Sequence, residues 1–223
     1  MAYDQTLDRV ANYFDKTATK TWEQLTSDAP LSTIRQTVRE GRDQMRALLL
    51  SRVPADLSGA RILDAGCGTG MLSQIAAERG AEVVAIDISP SLIEIARRRT
   101  PADLQSQITY SSGDMLDPNL GQFDYVFAMD SLIYYDQSEI TKAVSALGQR
   151  PSQKVLFTVA PWTPLLQVMW YTGKLFPRRD RSPVMRPQRV HALADQLQTH
   201  GNLDDIGRIR SGFYISQALE FSP

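Results

Sequence analysis

Apolar residues in the first quarter of the chain recur at the spacing of a helix. Between residues 32 and 52 they return every three or four positions with arginine and glutamate between them, which predicts an amphipathic helix that Ser32 caps. The apolar positions are Ile34, Val38, Met45, Leu48 and Leu49. A further helix is expected over 4–26. The pattern therefore predicts a helical cap over 1–52.

Beyond residue 60 the pattern changes to short apolar runs that alternate with helical segments. The runs predict strands at 61–66, 81–89, 108–115, 123–131 and 154–161. The other segments predict helices at 70–80, 90–100, 138–148 and 187–201. Such alternation is typical of an α/β fold, a parallel sheet with helices on both faces. Two consecutive strand-like runs at 207–212 and 213–221 then predict an antiparallel hairpin at one edge.

Composition narrows the possible functions. The chain has 24 Lys and Arg against 25 Asp and Glu, a net charge of −1, which argues against a dedicated nucleic-acid binder. A single cysteine, Cys67, excludes an intramolecular disulfide and fits a reducing cytoplasm. The polar stretch MAYDQTLDRV does not have the pattern of a secretory signal, and no window holds the roughly 20 apolar residues of a membrane span. We therefore expect a cytoplasmic protein.

The stretch LDAGCGTG, residues 63–70, places three glycines at alternate positions directly after the first predicted strand. In an open parallel sheet the ligand lies beyond the carboxyl ends of the strands, so this turn is expected to border a binding site. Its spacing differs from the G-x-G-x-x-G of dinucleotide-binding proteins, and no Walker lysine follows it. The turn is better suited to a nucleoside with an amino-acid tail than to a pyrophosphate.

Three acids follow three consecutive predicted strands. Asp64 suits a ligand that bears an ammonium or sulfonium, and Asp87 can accept hydrogen bonds from both ribose hydroxyls or cap the helix at 90–100. Asp114 suits the exocyclic amine of adenine, with Met115 against the ring, unless it is only a turn residue. With no phosphate-binding cation among them, these acids predict S-adenosyl-L-methionine as the cofactor.

The chain resembles the class I S-adenosylmethionine-dependent methyltransferases in LDAGCGTG, VVAIDIS, SSGDM and FDYVFAMDSLIYY. The resemblance implies a Rossmann-like fold with a seven-stranded, mostly parallel sheet whose last strand is reversed. It also implies cofactor binding by a set of residues near the glycine turn and the strand ends. These are Tyr13, Asp64, Ala65, Gly66, Cys67, Gly68, Gly70, Asp87, Ile88, Asp114, Met115 and Met129. Tyr13 either closes over the cofactor or only fastens its helix to the sheet.

A second resemblance covers most of the chain. NYFD (12–15), Trp22, IRQTVREGRDQMR (34–46) and MDSLIYYD (129–136) are similar to the magnesium-protoporphyrin O-methyltransferase family of bacteriochlorophyll synthesis. This implies esterification of one porphyrin propionate, with magnesium as part of the substrate and no metal site in the protein. It also suggests direct handover of substrate from the large subunit of magnesium chelatase.

The segment 162–190 is rich in proline, aromatic residues and arginine, which favours a lid for a large flat substrate with an acidic edge. Its candidate substrate contacts are Trp162, Trp170, Arg178 and Arg179. The same mixture of aromatics and arginines fits loose peripheral contact with the photosynthetic membrane. The alternative is an ordinary core helix followed by an exposed basic loop. With this lid, the chain divides into the cap, a core at 53–161 and a C-terminal part at 191–223.

Tyr134 stands where related enzymes of the chlorophyll branch tend to have histidine. We therefore expect Tyr134 to orient the propionate or pack on the macrocycle rather than take a proton; the alternative is a core residue. Two other functions stay open, a methyltransferase for another small carboxylate or hydroxyl and a tetrapyrrole carrier without chemistry. A nucleic-acid methyltransferase is disfavoured, because MDSL stands where such enzymes have an N-P-P-Y type motif.

Overall fold

A computed structural model describes residues 2–15, 23, 26, 32–149, 153–163 and 185–223. Its helices are α1 (Ala2–Tyr13), α2 (Thr33–Leu50), α3 (Met71–Glu78), α4 (Pro90–Arg99), α5 (Gln137–Gly148) and α6 (Val190–Leu197). Its strands are β1 (Arg61–Ala65), β2 (Glu82–Asp87), β3 (Ile108–Ser112), β4 (Tyr125–Ala128), β5 (Lys154–Val159), β6 (Asn202–Ser211) and β7 (Tyr214–Ser222). Short 3₁₀ turns occupy Pro118–Leu120 and Leu132–Tyr134.

The strands form one seven-stranded sheet in the order β3-β2-β1-β4-β5-β7-β6. Neighbouring strands from β3 to β5 run parallel, whereas β7 pairs antiparallel with both β5 and β6. The predicted fold class is therefore confirmed, with the reversed last strand inserted between β5 and the edge strand β6. Order reverses between β1 and β4, and in a sheet of this kind ligands bind beside such a switch point.

Helices cover both faces of the sheet because successive strand residues point to opposite sides. Ile62 packs in a core with Met45 of α2 and Ala76 of α3, while the next residue, Leu63, packs in the opposite core with Ile140 of α5. All five of these side chains are completely buried. Strands buried on both faces explain why the sequence showed continuous apolar runs there and not alternation.

Some predicted boundaries change in the structure. Ser32 occupies the N-cap position of α2 as predicted, but its side chain makes no capping hydrogen bond. The last hairpin begins at Asn202 and not at 207, because the edge strand β6 is mostly polar and its early residues carry no apolar alternation. α1 ends at Tyr13, and most of the rest of the helix predicted to 26 lies outside the described residues. The division into cap, core, lid and C-terminal part stays a prediction.

Candidate active site

The glycine turn leaves β1 and enters α3 with three residues in the left-handed region. Gly66, Gly68 and Gly70 have φ of 85°, 56° and 80°, which side chains rarely adopt. A Cβ on Gly66 would lie 2.4 Å from Cβ of Ser131, and one on Gly70 would lie 2.5 Å from the Tyr110 hydroxyl. A Cβ on Gly68 would meet nothing within 4 Å. Neighbouring side chains therefore crowd the turn at Gly66 and Gly70, whereas the space beside Gly68 is open.

A cleft lies over this turn and over the carboxyl ends of β1, β2 and β4. It holds about 1020 Å³ of space, counting its open mouth, which is the size range of small-molecule sites. Many residues predicted from sequence line it: Asp64, Gly66, Cys67, Gly68, Asp87, Ile88, Met115, Met129 and Tyr134. α1 lines it with Leu7 and Val10, Phe14 lines it directly after α1, and α2 contributes Arg42 and Arg46.

Asp64 is a buried acid at the base of the cleft. Its Oδ2 accepts a hydrogen bond of 2.6 Å from Ser73 Oγ of α3, and its side chain is almost fully enclosed. Burial raises the pKa of Asp64 to about 6, and the nearby Asp87 adds to this rise, while the bond from Ser73 opposes it. Its neighbour Ala65 is fully buried in the sheet. An ammonium group of a ligand would offer this buried carboxylate a counter-charge inside the cleft.

Asp87 at the end of β2 is oriented by two backbone amides. Gly68 N donates to its Oδ2 at 2.8 Å and Ser89 N donates to its Oδ1 at 2.9 Å. Burial raises the pKa of Asp87 despite these two bonds. Ser89 caps α4 by accepting a bond from Leu92 N, so Asp87 is not needed as the cap. Each oxygen of a carboxylate can accept a further hydrogen bond, which leaves Asp87 suited to a ribose diol.

Asp114 follows β3 and is held by the N-terminal helix. Tyr3 of α1 donates its hydroxyl hydrogen to Asp114 Oδ1 at 2.7 Å, and Leu116 N donates to the same oxygen at 2.9 Å. The Tyr3 ring also stacks on Tyr135, with ring centroids 5.2 Å apart. Gly113 and Met115, on either side of Asp114, line the cleft. The end of β3 and the cap helix therefore meet at one side of the cleft.

Tyr134 lies in the 3₁₀ turn after β4 and lines the cleft from a buried position. Its ring meets Phe14 of the cap edge-on, with centroids 5.9 Å apart, and Tyr13 packs behind Phe14 at 5.2 Å. Burial raises the pKa of Tyr134 well above its ordinary value, and the charge of Asp130 adds to this effect. Tyr134 is therefore a protonated hydrogen-bond donor at neutral pH.

Sequence reasoning missed a polar cluster next to Tyr134. Asp130 has φ of 56°, the one positive value among the non-glycine residues that the structure describes. Its carboxylate accepts hydrogen bonds from Arg42 Nη1 at 2.8 Å, Tyr214 OH at 3.0 Å, Thr158 Oγ1 at 3.2 Å and Ser216 Oγ at 3.4 Å. These partners come from α2, β5 and β7, so no local motif signals the cluster. Its one sequence signal is an acid two residues after the end of the buried strand β4.

The candidate substrate contacts are only partly described. Trp162 is 44% exposed just after β5, and Arg189 lies over its ring with Cζ 4.8 Å from the centroid. Trp170, Arg178 and Arg179 lie outside the described residues.

Within the described ranges, no group of three His, Cys, Asp or Glu residues is arranged to hold a metal ion. In that same part of the chain, no helix combines the length and apolar character that crossing a membrane requires.

Comparisons with known proteins agree across the chain. A family model described as magnesium-protoporphyrin IX methyltransferase C-terminus matches residues 128–223, and a methyltransferase domain model matches residues 62–150. A magnesium-protoporphyrin O-methyltransferase from Rhodobacter capsulatus is 54% identical over 224 residues, covering 99% of this chain and 98% of that protein. Another from Synechocystis sp. is 28% identical over 216 residues, covering 95% of this chain and 94% of that protein.

Similarity extends to a solved structure. A crystal structure of magnesium protoporphyrin IX methyltransferase from Synechocystis with bound S-adenosylhomocysteine aligns with a TM-score of 0.81 at 27% identity. The alignment covers 96% of this chain and 98% of that one.

Proposed function

Since this chain belongs to the magnesium-protoporphyrin O-methyltransferase family, we propose that it transfers the methyl group of S-adenosyl-L-methionine to a propionate carboxylate of magnesium-protoporphyrin IX. The product is the monomethyl ester, an intermediate of bacteriochlorophyll biosynthesis. The observation that carries this function is the cleft that Asp64 and Asp87 line beside the glycine turn and that Tyr134 lines from the 3₁₀ turn after β4.

The residues of the cleft fit the cofactor. Asp64 is a buried acid whose pKa is raised to about 6, as suits a partner for an ammonium, and Asp87 presents a carboxylate oriented by two amides. The open space at Gly68 lets a nucleoside approach the backbone, and Met115 offers an apolar contact for a base. When bound, S-adenosylmethionine supplies an electrophilic methyl group on a sulfonium. We assign the predicted set at the glycine turn and strand ends to this cofactor.

The propionate that receives the methyl group needs no general base. A propionate has a pKa of about 4–5, like that of glutamate, and is already ionised at neutral pH. Tyr134 keeps its proton under these conditions, which supports a role in donating a hydrogen bond to the propionate or packing on the macrocycle. Orienting the reacting groups is then the main task of the protein, worth on the order of 7–11 kcal/mol in well-placed intramolecular reactions.

The cap contributes by excluding water. Leu7 and Val10 of α1, and Phe14 directly after it, present apolar surface to the cleft. The methyl group moves from the sulfonium to the carboxylate oxygen, which leaves a neutral thioether and a neutral ester. The transition state is therefore less polar than the reactants. Removing water from the cleft therefore favours the reaction. We propose that the macrocycle and its second carboxylate are held by Trp162 together with Arg189, which lies over its ring. By their residue types, we propose the same role for Trp170, Arg178 and Arg179.

A turnover assay tests this function. Purified protein with S-adenosylmethionine and magnesium-protoporphyrin IX is expected to give the monomethyl ester, detected by mass. Tyr134→Phe is expected to lower turnover about tenfold, the effect of losing one hydrogen bond to a charged group, while the pH profile above pH 7 stays flat. A steep new pH dependence in this variant would contradict the orienting role.

The same assay separates the alternative functions. Porphyrin binding, seen as a Soret shift, without any ester would indicate a carrier. No Soret shift at micromolar porphyrin, together with cofactor binding, would indicate a methyltransferase for another small carboxylate or hydroxyl. Handover from magnesium chelatase belongs to the proposal, because a metalloporphyrin is sparingly soluble and is best passed directly between proteins. The cytoplasmic location and peripheral membrane contact belong to the proposal as well.

A further inference from the structure

Two stretches that are distant in sequence meet beside the end of β5. Pro161 pairs with Gln188 in an isolated parallel bridge. Gln188 N donates to Ala160 O at 2.7 Å, and Gln188 O accepts a hydrogen bond from Trp162 N at 2.9 Å. In parallel pairing, the residues that follow two paired residues lie side by side. Trp162 and Arg189 are those residues, which explains why the Arg189 guanidinium lies over the Trp162 ring.

Gln188 also connects this bridge to the wall of the cleft through its side chain. The residue is 5% exposed, and its Nε2 donates to Tyr135 O at 3.1 Å and to Arg186 O at 3.0 Å. A side-chain amide has two N–H donors, so both donors of Gln188 are used on backbone carbonyls. Tyr135 directly follows Tyr134, and both line the cleft. The buried amide therefore joins the stretch 185–189 to the cleft.

Arg186 adds to the connection between this stretch and the turn that carries Tyr134. Its backbone N–H donates to Ile133 O within that turn at 2.8 Å, and its Nη1 donates to Asp136 Oδ2 at 3.3 Å. The side chains of this ion pair are 38% and 41% exposed, so the pair is expected to contribute little. The buried amide of Gln188 is therefore the stronger of the two side-chain connections.

The pair of residues that Gln188 holds in place is exposed. Trp162 is 44% exposed although it follows the buried strand β5 by three residues, and Arg189 is exposed as well. An aromatic ring with a guanidinium over it suits a flat ligand that carries carboxylates at its edge. Exposed side chains have little packing that could fix their position relative to the cleft. Their position therefore depends on buried contacts such as those of Gln188.

We propose that Gln188 is a positioning residue for the porphyrin, because it holds Trp162 and Arg189 at a fixed place beside the turn that carries Tyr134. The macrocycle rests on the Trp162–Arg189 pair while one propionate reaches into the cleft. Gln188 itself does not touch the substrate. This inference rests on the proposed function, because it takes magnesium-protoporphyrin IX as the ligand of the pair.

Steady-state kinetics of Gln188→Met tests the inference. Methionine has nearly the length and volume of glutamine but cannot donate to the two carbonyls. The KM for magnesium-protoporphyrin IX is expected to rise about fivefold to tenfold, the effect of one neutral hydrogen bond. The kcat is expected to change less than about twofold, because the pair binds substrate and transition state equally. KM does not depend on how much of the variant is folded, and the affinity for S-adenosylhomocysteine is expected to stay unchanged.

The matched control is Gln217→Met on β7. Gln217 is 3% exposed, and its side chain also makes two hydrogen bonds, which join it to Asp205 and Arg208 of β6. This variant is expected to lose stability as Gln188→Met does but to keep the wild-type porphyrin KM. An equal rise of KM in both variants would overturn the proposal, since the loss of any buried amide would then be sufficient.

A double-mutant cycle tests whether Gln188 acts through the exposed pair. Trp162→Ala is expected to raise the porphyrin KM about tenfold. Adding Gln188→Met is expected to raise it less than about twofold further, because the ring that Gln188 positions is already absent. Independent, fully additive effects would overturn the proposal, and so would an unchanged KM in either single variant.

A second variant keeps the test decisive if Gln188→Met does not fold. Gln188→Asn keeps the amide but shortens its reach by one methylene, and it is expected to raise the porphyrin KM about threefold with the same dependence on Trp162. Wild-type protein that forms no monomethyl ester would defeat the proposed function itself. Normal wild-type turnover with an unchanged KM in the Gln188 variants would defeat only this inference.

Discussion

At the scale of a single residue, the burial of Asp64 predicts how the affinity for the cofactor depends on pH. Burial raises the pKa of its carboxyl to about 6, so in the ligand-free protein it is protonated below that pH and charged above it. An ammonium binds the charged form. Affinity for S-adenosylhomocysteine is therefore expected to fall as the pH drops below about 6, approaching tenfold per pH unit, and to level off by pH 7.

Calorimetry at pH 5, 6 and 7 checks this expectation, and Asp64→Asn is the control. The variant is expected to bind more weakly at pH 7 and to lose most of the pH dependence. Asp87 is the second acid of the cleft whose pKa is raised by burial, so the variant separates its effect from that of Asp64. An undiminished pH dependence in Asp64→Asn would assign the effect to Asp87.

At the scale of secondary-structure elements, a hydrogen bond from Tyr3 connects α1 to Asp114 beyond the end of β3. Tyr3→Phe removes the bond to Asp114 and keeps the ring that stacks on Tyr135. Loss of a hydrogen bond to a charged group is worth roughly 1.5–3 kcal/mol, so local opening of α1 is expected to increase at least tenfold. Hydrogen exchange of amides in 6–13 measures this opening. The matched control is Tyr13→Phe on the same helix, for which equal acceleration would refute the role of the Tyr3 bond.

At the scale of the whole molecule, Glu220 fastens the reversed strand β7 to its surroundings. This nearly buried carboxylate pairs with Arg52 beyond α2 and with Lys154 at the start of β5, each at 2.8 Å. Burial alone would raise the pKa of Glu220, but the hydrogen bonds from Arg52 and Lys154 outweigh it and hold the pKa below its ordinary value. The pairing therefore stabilises the fold at neutral pH, and this stability is lost as the pH falls through the lowered pKa.

Glu220→Gln is expected to lower the free energy of unfolding by about 1 kcal/mol at pH 7, a modest value because both partner cations are partly exposed to solvent. The difference between variant and wild type is expected to shrink as the pH falls from 5 to 3. Urea unfolding measures both quantities. Glu82→Gln, which breaks the exposed pair with Arg61, is the control, and an equally large effect there would show that burial of Glu220 does not matter.

Much of this fold could be predicted because its signals are local. The apolar runs of β1, β2, β4 and β5 lie within a few residues, and so do the glycine turn and the acids that follow the strands. The polar edge strand β6 was predicted too short, since a strand with one paired edge and little burial needs no apolar alternation. The roles of the individual site residues stay predictions until the binding experiments are done.

The sequence by itself determined the α/β class, an antiparallel hairpin at one edge of the sheet and a turn suited to a nucleoside ligand, because spacing along the chain encodes each of them. Only the tertiary structure decided what surrounds that turn. Arg42 meets Asp130 across 88 positions and Tyr3 meets Asp114 across 111. No short-range pattern encodes such pairs, because their partners meet only when separate elements pack around the completed sheet.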